Sequence, residues 1–126
     1  MRLNQTHDGT TGFAVEAEPV SWDGTLAVAR GEMDIAAVPA LRRLLDDAIG
    51  TGTRRMVIDL TDVDFVDSVA LATLVGAKRR LGPEGRLAVV VTHPYVLLVF
   101  EATGLNHVVA ICDTREAAVT AVTAAA

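Results

Sequence analysis

Two adjacent polar residues, Asp67 and Ser68, separate two apolar segments and are the residues best placed for chemistry. A carboxylate or hydroxyl at such a position often caps a helix by accepting a hydrogen bond from a free backbone N–H, worth about 1 kcal/mol. A serine at a helix N-terminus is also suited to carry a phosphate, because free N–H groups and the helix dipole stabilise an anion. The pattern leaves both roles open.

Acidic residues surround Ser68 in the sequence, namely Asp62, Asp64 and Asp67, with Asp34 as a further candidate from an earlier loop. A phosphoserine would add about −1.5 to −2 charges beside them. Two like charges about 6 Å apart, at an effective dielectric constant near 20, repel each other by a few kcal/mol at most. Phosphorylation would therefore change the charge of this surface without refolding the domain, and a docked partner could lose several powers of ten in affinity.

The other reactive residues do not form a catalytic or metal-binding pattern. His7, His93 and His107 are scattered along the chain, and Cys112 is the only thiol, which argues against a zinc site. Neither a glycine-rich phosphate loop nor a nucleophile elbow stands out. We therefore expect a protein that is not an enzyme and that uses no metal and no cofactor.

A phosphoreceiver domain is an alternative source of an acidic cluster on alternating strands and helices, and Asp59 could be its phosphate acceptor. That class needs a pair of acids after the first strand and a lysine after the last strand. The first predicted strand is not followed by such a pair, and residues 108–113 contain no lysine. The phosphoreceiver interpretation is therefore set aside.

The composition fits one folded domain that does not bind nucleic acid. A chain of 126 residues that is 51% hydrophobic and 21% charged has enough apolar material for a core and too little charge for a disordered chain. Aromatic residues make up only 4%, so the core must be mainly aliphatic. The net charge of −5 lacks the basic excess that nucleic-acid binding normally needs.

Cysteine content and hydropathy indicate a cytoplasmic protein without membrane insertion. A single cysteine allows no internal disulfide, which is typical of a reducing compartment. Residues 1–12 are polar and unlike a signal peptide, and no apolar run approaches the roughly 18 residues that span a bilayer. We expect residues 1–12 to be a flexible N-terminal tail and residues 13–126 to form a single domain.

Apolar periodicity predicts two strands followed by regular alternation of helices and strands. The predicted strands cover residues 13–18, 25–30, 56–60, 87–91 and 108–111. The predicted helices cover 39–50, 69–81 (opened by Ser68), 94–103 and a C-terminal segment capped by Asp113 with Glu116. Residues 31–34 and 61–67 are predicted loops. An Asp-Gly hairpin turn followed by this alternation predicts an α/β fold, with a mostly parallel mixed sheet and an antiparallel N-terminal edge hairpin. Functional groups should collect at the carboxyl ends of its parallel strands.

Three motifs in this order resemble those of STAS domains. Gly31-Glu32-Met33-Asp34 is similar to the Gly-Glu-Leu-Asp loop of that family, and Phe65-Val66-Asp67-Ser68 resembles the segment with its phosphorylatable serine. His93-Pro94-Tyr95-Val96 through Phe100, followed by Thr103-Gly104-Leu105, resembles the third helix and its exit. Together they cover most of residues 13–126 and resemble the anti-sigma factor antagonist class.

The resemblance implies a STAS fold with about four helices and a partner-switching function. Unphosphorylated members of this class bind an anti-sigma factor that is also a serine kinase of the histidine-kinase-like ATPase fold, and thereby free a sigma factor. Phosphorylation of a serine, which corresponds to Ser68, breaks the complex, and a serine phosphatase resets the switch. We expect a monomer or weak homodimer in the bacterial cytoplasm.

The resemblance also implies a partner-binding surface around the serine. Asp67 would orient Ser68 and cap the helix, and Asp34 would line the same surface. The complete set of expected partner-binding residues is Glu32, Asp34, Asp64, Asp67, Ser68, Val69, Leu71, Leu97 and Leu98.

The sequence departs from the family pattern at two places. The usual motif continues Asp-Ser-Ser-Gly, whereas Val69 and Ala70 follow Ser68, so a hydroxyl is lost and the alanine would narrow the approach of a partner. The third helix carries Leu97 and Leu98 where charges are common. Such a helix is either unusually deep or offers an apolar patch to a partner or a second copy.

Two other functions are compatible with the same fold. Accessory STAS subunits of bacterial lipid-transport ATPases bind a membrane complex constitutively and have a similar Val-Asp-Ser-Ala-Gly-Leu segment. Ala70 and the apolar third helix fit that interpretation. A scaffold role without phosphorylation is the third possibility, and binding that depends on the state of Ser68 separates the switch from both.

Overall fold

A computed structural model describes residues 12–124, which form one sheet of five strands with four α-helices. The predicted tail at residues 1–12 lies, except for Gly12, outside the described residues. Two short 3-10 turns at Ile35–Ala37 and Leu105–His107 accompany the longer elements. The strands and α-helices are β1 (Ala14–Glu18), β2 (Thr25–Met33), α1 (Val38–Gly50), β3 (Arg55–Val66), α2 (Ser68–Leu81), β4 (Arg86–Val90), α3 (Pro94–Ala102), β5 (Ala110–Cys112) and α4 (Arg115–Thr123).

The sheet confirms the predicted α/β fold class. Its strand order is β1-β2-β3-β4-β5; β1 pairs antiparallel with β2, and the remaining pairs are parallel. Each parallel connection moves one strand further in the same direction. Right-handed crossovers then place α1, α2 and α3 on one face of the sheet, which leaves the other face to α4.

The two faces of the sheet carry separate apolar cores, as the two-residue period of a strand requires. Ala27 and Ala29 of β2 belong to the large core beneath α1, α2 and α3. Leu26 and Val28, which alternate with them, belong to a smaller core beneath α4. The smaller core consists of Leu26, Val28, Val57, Ala88, Val90, Ala118 and Val122.

β2 and β3 extend further than their sequence pattern predicts. Residues 31–33 and 61–66, predicted to be loops, continue the two strands as far as Met33 and Val66. The register between the strands shifts twice, each time with one additional residue on β3, so that Leu60, Val63 and Val66 are buried at intervals of three. Such bulges remove the period of two that identifies a strand in a sequence, and they explain the wrong loop prediction.

Side chains just before α2, α3 and α4 cap these helices, whereas α1 has no side-chain cap and carries Pro39 in its first turn. Asp67, and not Ser68, is the N-cap of α2, and His93 Nδ1 caps α3 by accepting from the Tyr95 N–H at 3.1 Å. The predicted capping role of Asp113 in α4 is wrong. The helix begins one residue later than that prediction requires, and Thr114 Oγ1 accepts from the Ala117 N–H at 3.0 Å.

Candidate phosphorylation and partner-binding site

The candidate site lies where β2 and β3 end side by side. Met33 and Val66 are paired at the ends of these parallel strands, and the N–H of Asp67 donates to the Met33 carbonyl oxygen at 3.2 Å. The chain then turns into the Ile35–Ala37 turn after β2 and into α2 after β3. The pairing of the two strands therefore brings two segments more than 30 residues apart to one edge of the sheet.

The Asp67 carboxylate uses its two oxygens for two different elements. Oδ1 accepts from the backbone N–H groups of Val69 at 3.1 Å and Ala70 at 3.0 Å, which caps α2. Oδ2 accepts from the N–H of Ile35 at 2.9 Å. Hydrogen bonds to an ionised acceptor are stronger than those between neutral groups. One side chain thus caps the helix and fixes the segment that follows β2.

The side chain of Asp34 caps the short turn that immediately follows it. Its Oδ1 accepts from the N–H of Ala36 at 3.0 Å and caps the Ile35–Ala37 turn. The next residue, Ile35, makes the bond to Asp67, so Asp34 lies near the start of α2 at the same edge of the sheet.

Ser68 is the first residue of α2 and is exposed. Within residues 12–124 its hydroxyl group forms no hydrogen bond. The N–H groups of Val69 and Ala70, which we expected to stabilise a phosphate, are already bonded to Asp67. A phosphate on Ser68 would therefore lie next to a carboxylate that holds these donors, which strengthens its action as a repulsive charge.

Two apolar residues after Ser68 point into the core. Leu71 is only 3% exposed and Ala70 is fully buried. The expectation that Leu71 contacts a partner is therefore wrong, because the helical period places it on the inner side of α2 with Leu74. The expected narrowing of a partner's approach by Ala70 is wrong for the same reason. Val69, by contrast, is exposed.

The third helix, α3, combines both of the alternatives left open for its apolar sequence. Val96 and Phe100 are completely buried in the large core, and Leu97 packs partly against it. Leu98 is 60% exposed on the opposite side. Neither α3 nor any other helix within residues 12–124 is long and apolar enough to cross a membrane.

Three exposed apolar residues at this edge are absent from the predicted site. Ile35 is 64% exposed, and Phe65 stacks on Tyr95 with ring centroids 6.0 Å apart and an interplanar angle of 13°. Their signal in the sequence is weak, since a single exposed apolar residue follows no periodic pattern. We call the following exposed residues, which lie near the ends of β2 and β3 or in the segments after β2, β3 and β4, the Ser68 face: Glu32, Ile35, Asp64, Phe65, Ser68, Val69, Tyr95 and Leu98.

The segments around the Ser68 face are acidic. Residues 31–37, 61–69 and 91–98 together contain the five acids Glu32, Asp34, Asp62, Asp64 and Asp67, and no lysine or arginine. The face therefore combines exposed apolar side chains with one sign of charge, an arrangement typical of protein interfaces that select an oppositely charged partner.

Asp59, the acceptor in the rejected phosphoreceiver interpretation, lies on the other face of the sheet in a structural ion-pair network. It is 6% exposed and accepts from Thr61 N–H at 2.9 Å and from Arg115 Nη2 at 2.8 Å. Arg115 also contacts Glu18 at 3.3 Å. Burial alone would raise the pKa of Asp59, but the hydrogen bonds from Thr61 and Arg115 outweigh it and hold the pKa below its ordinary value. The carboxylate is thus already fully engaged.

Comparison with known proteins agrees with this geometry. The STAS domain profile matches residues 23–118. A candidate anti-sigma factor antagonist, BtrV of Bordetella bronchiseptica, is 33% identical over 101 residues, which cover 79% of this chain and 87% of that protein.

Solved structures show the same similarity. An anti-sigma factor antagonist from Mycobacterium paratuberculosis is 27% identical with a TM-score of 0.83, covering 90% of this chain and 96% of that one. The Bacillus cell fate determinant SpoIIAA, solved in its phosphorylated form, is 26% identical with a TM-score of 0.66, covering 84% and 96%. The chain belongs to the STAS domain family and, by sequence and fold, to its anti-sigma factor antagonists.

Proposed function

We propose that this protein binds an anti-sigma factor through the Ser68 face and is released when Ser68 is phosphorylated. The proposed partner is a serine kinase of the histidine-kinase-like ATPase fold in the cytoplasm, and a serine phosphatase restores the binding form. The names of the relatives support an anti-sigma factor as the partner, and the phosphorylated form of SpoIIAA supports a phosphate-dependent switch.

The observation that carries this proposal is the state of the Ser68 side chain. Its hydroxyl is exposed at the first position of α2, makes no hydrogen bond within the described residues, and lies among exposed apolar and acidic side chains. A kinase can reach such a hydroxyl without unfolding the domain. Burial of the same face by a partner would bring that partner directly against residue 68.

Electrostatics explains why a phosphate would end the interaction. A phosphoserine adds about −1.5 to −2 charges next to Asp67, in segments that already carry five carboxylates. Within a docked interface, such a charge loses water, and residues 31–37, 61–69 and 91–98 offer no lysine or arginine to pair with it. A loss of about 3 kcal/mol would correspond to roughly a hundredfold weaker binding.

The phosphorylation site can be tested directly. Incubation with the anti-sigma kinase of the same organism and Mg-ATP should add one phosphoryl group to the peptide that contains Ser68, as seen by mass spectrometry. Ser68→Ala should abolish the modification. Ser21, the only other serine of the chain and also exposed, supplies the matched control, because Ser21→Ala should be modified normally. Modification of another residue would contradict the proposal.

Binding of the substituted proteins separates the switch from constitutive binding. Ser68→Ala should form a persistent complex with the kinase, whereas Ser68→Asp should bind it more weakly. Equal binding of both variants would contradict the switch. It would favour an accessory subunit of a lipid-transport ATPase or a scaffold, for which the exposed Leu98 would be a contact.

A further inference from the structure

The hydrogen bond between Asp67 and Ile35 is not needed to cap α2. A cap requires one acceptor oxygen, and Asp67 Oδ1 alone accepts from both Val69 and Ala70. Oδ2 is left for the N–H of Ile35, 32 positions earlier in the chain. The second oxygen is therefore free to fix the turn after β2 through this hydrogen bond.

That turn presents an apolar side chain to solvent in a fixed position. The N–H of Ile35 is held by Asp67 and the N–H of Ala36 by Asp34, so two successive backbone groups are fixed by carboxylates. Ile35 is the most exposed large apolar residue among those described, at 64%. Its side chain contributes little to the core, whereas the turn beneath it is tied to the start of α2.

The surroundings of Ile35 indicate what kind of surface would cover it. Three other exposed apolar residues, Phe65, Val69 and Tyr95, lie at the same edge of the sheet. Residues 31–37 and 61–69 carry five acids and no lysine or arginine. Such a face is complementary to an apolar depression with a basic rim. A few well-packed residues near the centre of an interface carry most of its binding energy.

We propose that Asp67 is the positioning residue of the Ser68 face, which holds Ile35 beside Ser68 as an apolar anchor for the anti-sigma factor. This inference rests on the proposed function. The anchor gives the partner a shape-specific contact, and Ser68 next to it gives the contact that a phosphate removes. Asp67 thereby links the two, because it touches the turn of Ile35 and immediately precedes Ser68.

Two substitutions test the role of Ile35 as an anchor and the role of its hydrogen bond to Asp67. Ile35→Ala removes the anchor and leaves the turn intact. Asp67→Asn keeps one oxygen to cap α2 but places an NH2 group opposite the N–H of Ile35, so that two donors face each other. Each should weaken binding to the anti-sigma factor about ten- to hundredfold in isothermal titration calorimetry. Val108→Ala, which shortens an exposed branched residue outside the Ser68 face, should leave binding unchanged.

A double-mutant cycle distinguishes positioning from a loss of charge or stability. If Asp67 acts by holding Ile35, then Ile35→Ala should have little further effect in the Asp67→Asn background. Amide hydrogen exchange at Ile35 should also become at least about tenfold faster in Asp67→Asn, while the amides of β3 and β4 keep their protection. Asp67→Ser, whose hydroxyl caps α2 but cannot serve both elements, should behave in the same way.

The outcomes separate this inference from the proposed function. If the unsubstituted protein does not bind the anti-sigma factor, the proposed function fails. If it binds, and Ile35→Ala binds equally well, the anchor is refuted while the proposed function stands. Fully additive effects of Ile35→Ala and Asp67→Asn, or unchanged exchange at Ile35, would show that Asp67 does not position the anchor.

Discussion

Asp67 supports both the fold and the proposed site. Its carboxylate accepts hydrogen bonds from three backbone N–H groups, two at the start of α2 and one in the turn after β2. Removing the carboxylate leaves the first turn of α2 uncapped and releases the turn at Ile35. These N–H groups can then turn to water, so the loss is limited to the net value of a cap and one further hydrogen bond.

We predict that Asp67→Ala lowers the free energy of unfolding by about 1–2 kcal/mol in urea denaturation. Asp64 provides a matched control, since it is an exposed acid of the same edge whose side chain forms no hydrogen bond within residues 12–124. Asp64→Ala should change the stability by less than about 0.5 kcal/mol. Equal effects of the two substitutions would contradict the double role of Asp67.

For single residues, the sequence predicts which side chains can do chemistry better than it predicts which side chains are exposed. The Asp67-Ser68 pair between apolar segments is enough to place a capped helix and a candidate phosphate acceptor. Ile35 is missed, because nothing in a sequence distinguishes an exposed apolar residue from a buried one outside a periodic segment. The resemblance includes Leu71 in the partner-binding set, whereas the 3.6-residue helical period places it in the core.

Among the elements, the end of β2 depends on a glycine that other residues cannot replace. Gly31 has a φ angle of +101°, and a Cβ atom there would overlap the backbone carbonyl of Gly12. This position lies at the second register shift between β2 and β3, just before the segment that leads to the site. The conformation of Gly31 thus helps to direct the chain toward Asp34 and Ile35.

We predict opposite effects for alanine at two glycines. Gly31→Ala should destabilise the protein by about 2 kcal/mol or more, because alanine disfavours this positive φ angle and its Cβ atom would overlap the Gly12 carbonyl oxygen. Gly76→Ala should stabilise it by about 0.5–1 kcal/mol, because Gly76 lies inside α2 and a Cβ atom there meets nothing within 4 Å. Thermal unfolding measures both. A tolerated Gly31→Ala would contradict the described path of β2.

The elements also show where sequence patterns stop being informative. Helix positions follow from apolar periodicity and from proline and cap residues, which act within a few positions of each other. The ends of β2 and β3 follow from pairing between segments about 30 residues apart, with two bulges that hide the strand period. Only the folded sheet reveals that the acidic segment is a strand up to Val66.

For the whole molecule, an ion-pair network stabilises the face of the sheet that lies opposite α1, α2 and α3. The ion-pair network of Arg115 with Asp59 and Glu18 joins the start of α4 to β3 and β1. It holds the one helix that covers the smaller core. The alternation of strands and helices predicts this α/β fold, and the handedness of the crossovers explains why α4 alone covers that face.

We predict that Arg115→Ala lowers the free energy of unfolding by about 1–3 kcal/mol, because it leaves the buried Asp59 carboxylate without its cation. Arg80→Ala is the matched control. Arg80 pairs with Asp46 at 2.8 Å, but both side chains are about half exposed, so the loss should be about 0–1 kcal/mol. Equal losses would mean that the network does not anchor α4.

The stabilisation that Arg115 provides should depend on pH in a defined direction. The folded-state pKa of Asp59 is lowered, so its ion pair stabilises the protein above the unfolded-state pKa of about 3.9 and is lost as the pH falls through the folded-state value. The stability difference between the unsubstituted protein and Arg115→Ala should be constant near neutral pH and shrink below about pH 4. Urea denaturation at several pH values measures it, and a difference that persists in acid would contradict the assignment.

The most direct test of the switch is the affinity of one preparation for the anti-sigma factor, measured by calorimetry before and after stoichiometric phosphorylation of Ser68 and again after phosphatase treatment. We expect phosphorylation to weaken binding on the order of a hundredfold or more, with full recovery after dephosphorylation. The same affinity in all three states would contradict the proposal that Ser68 controls binding.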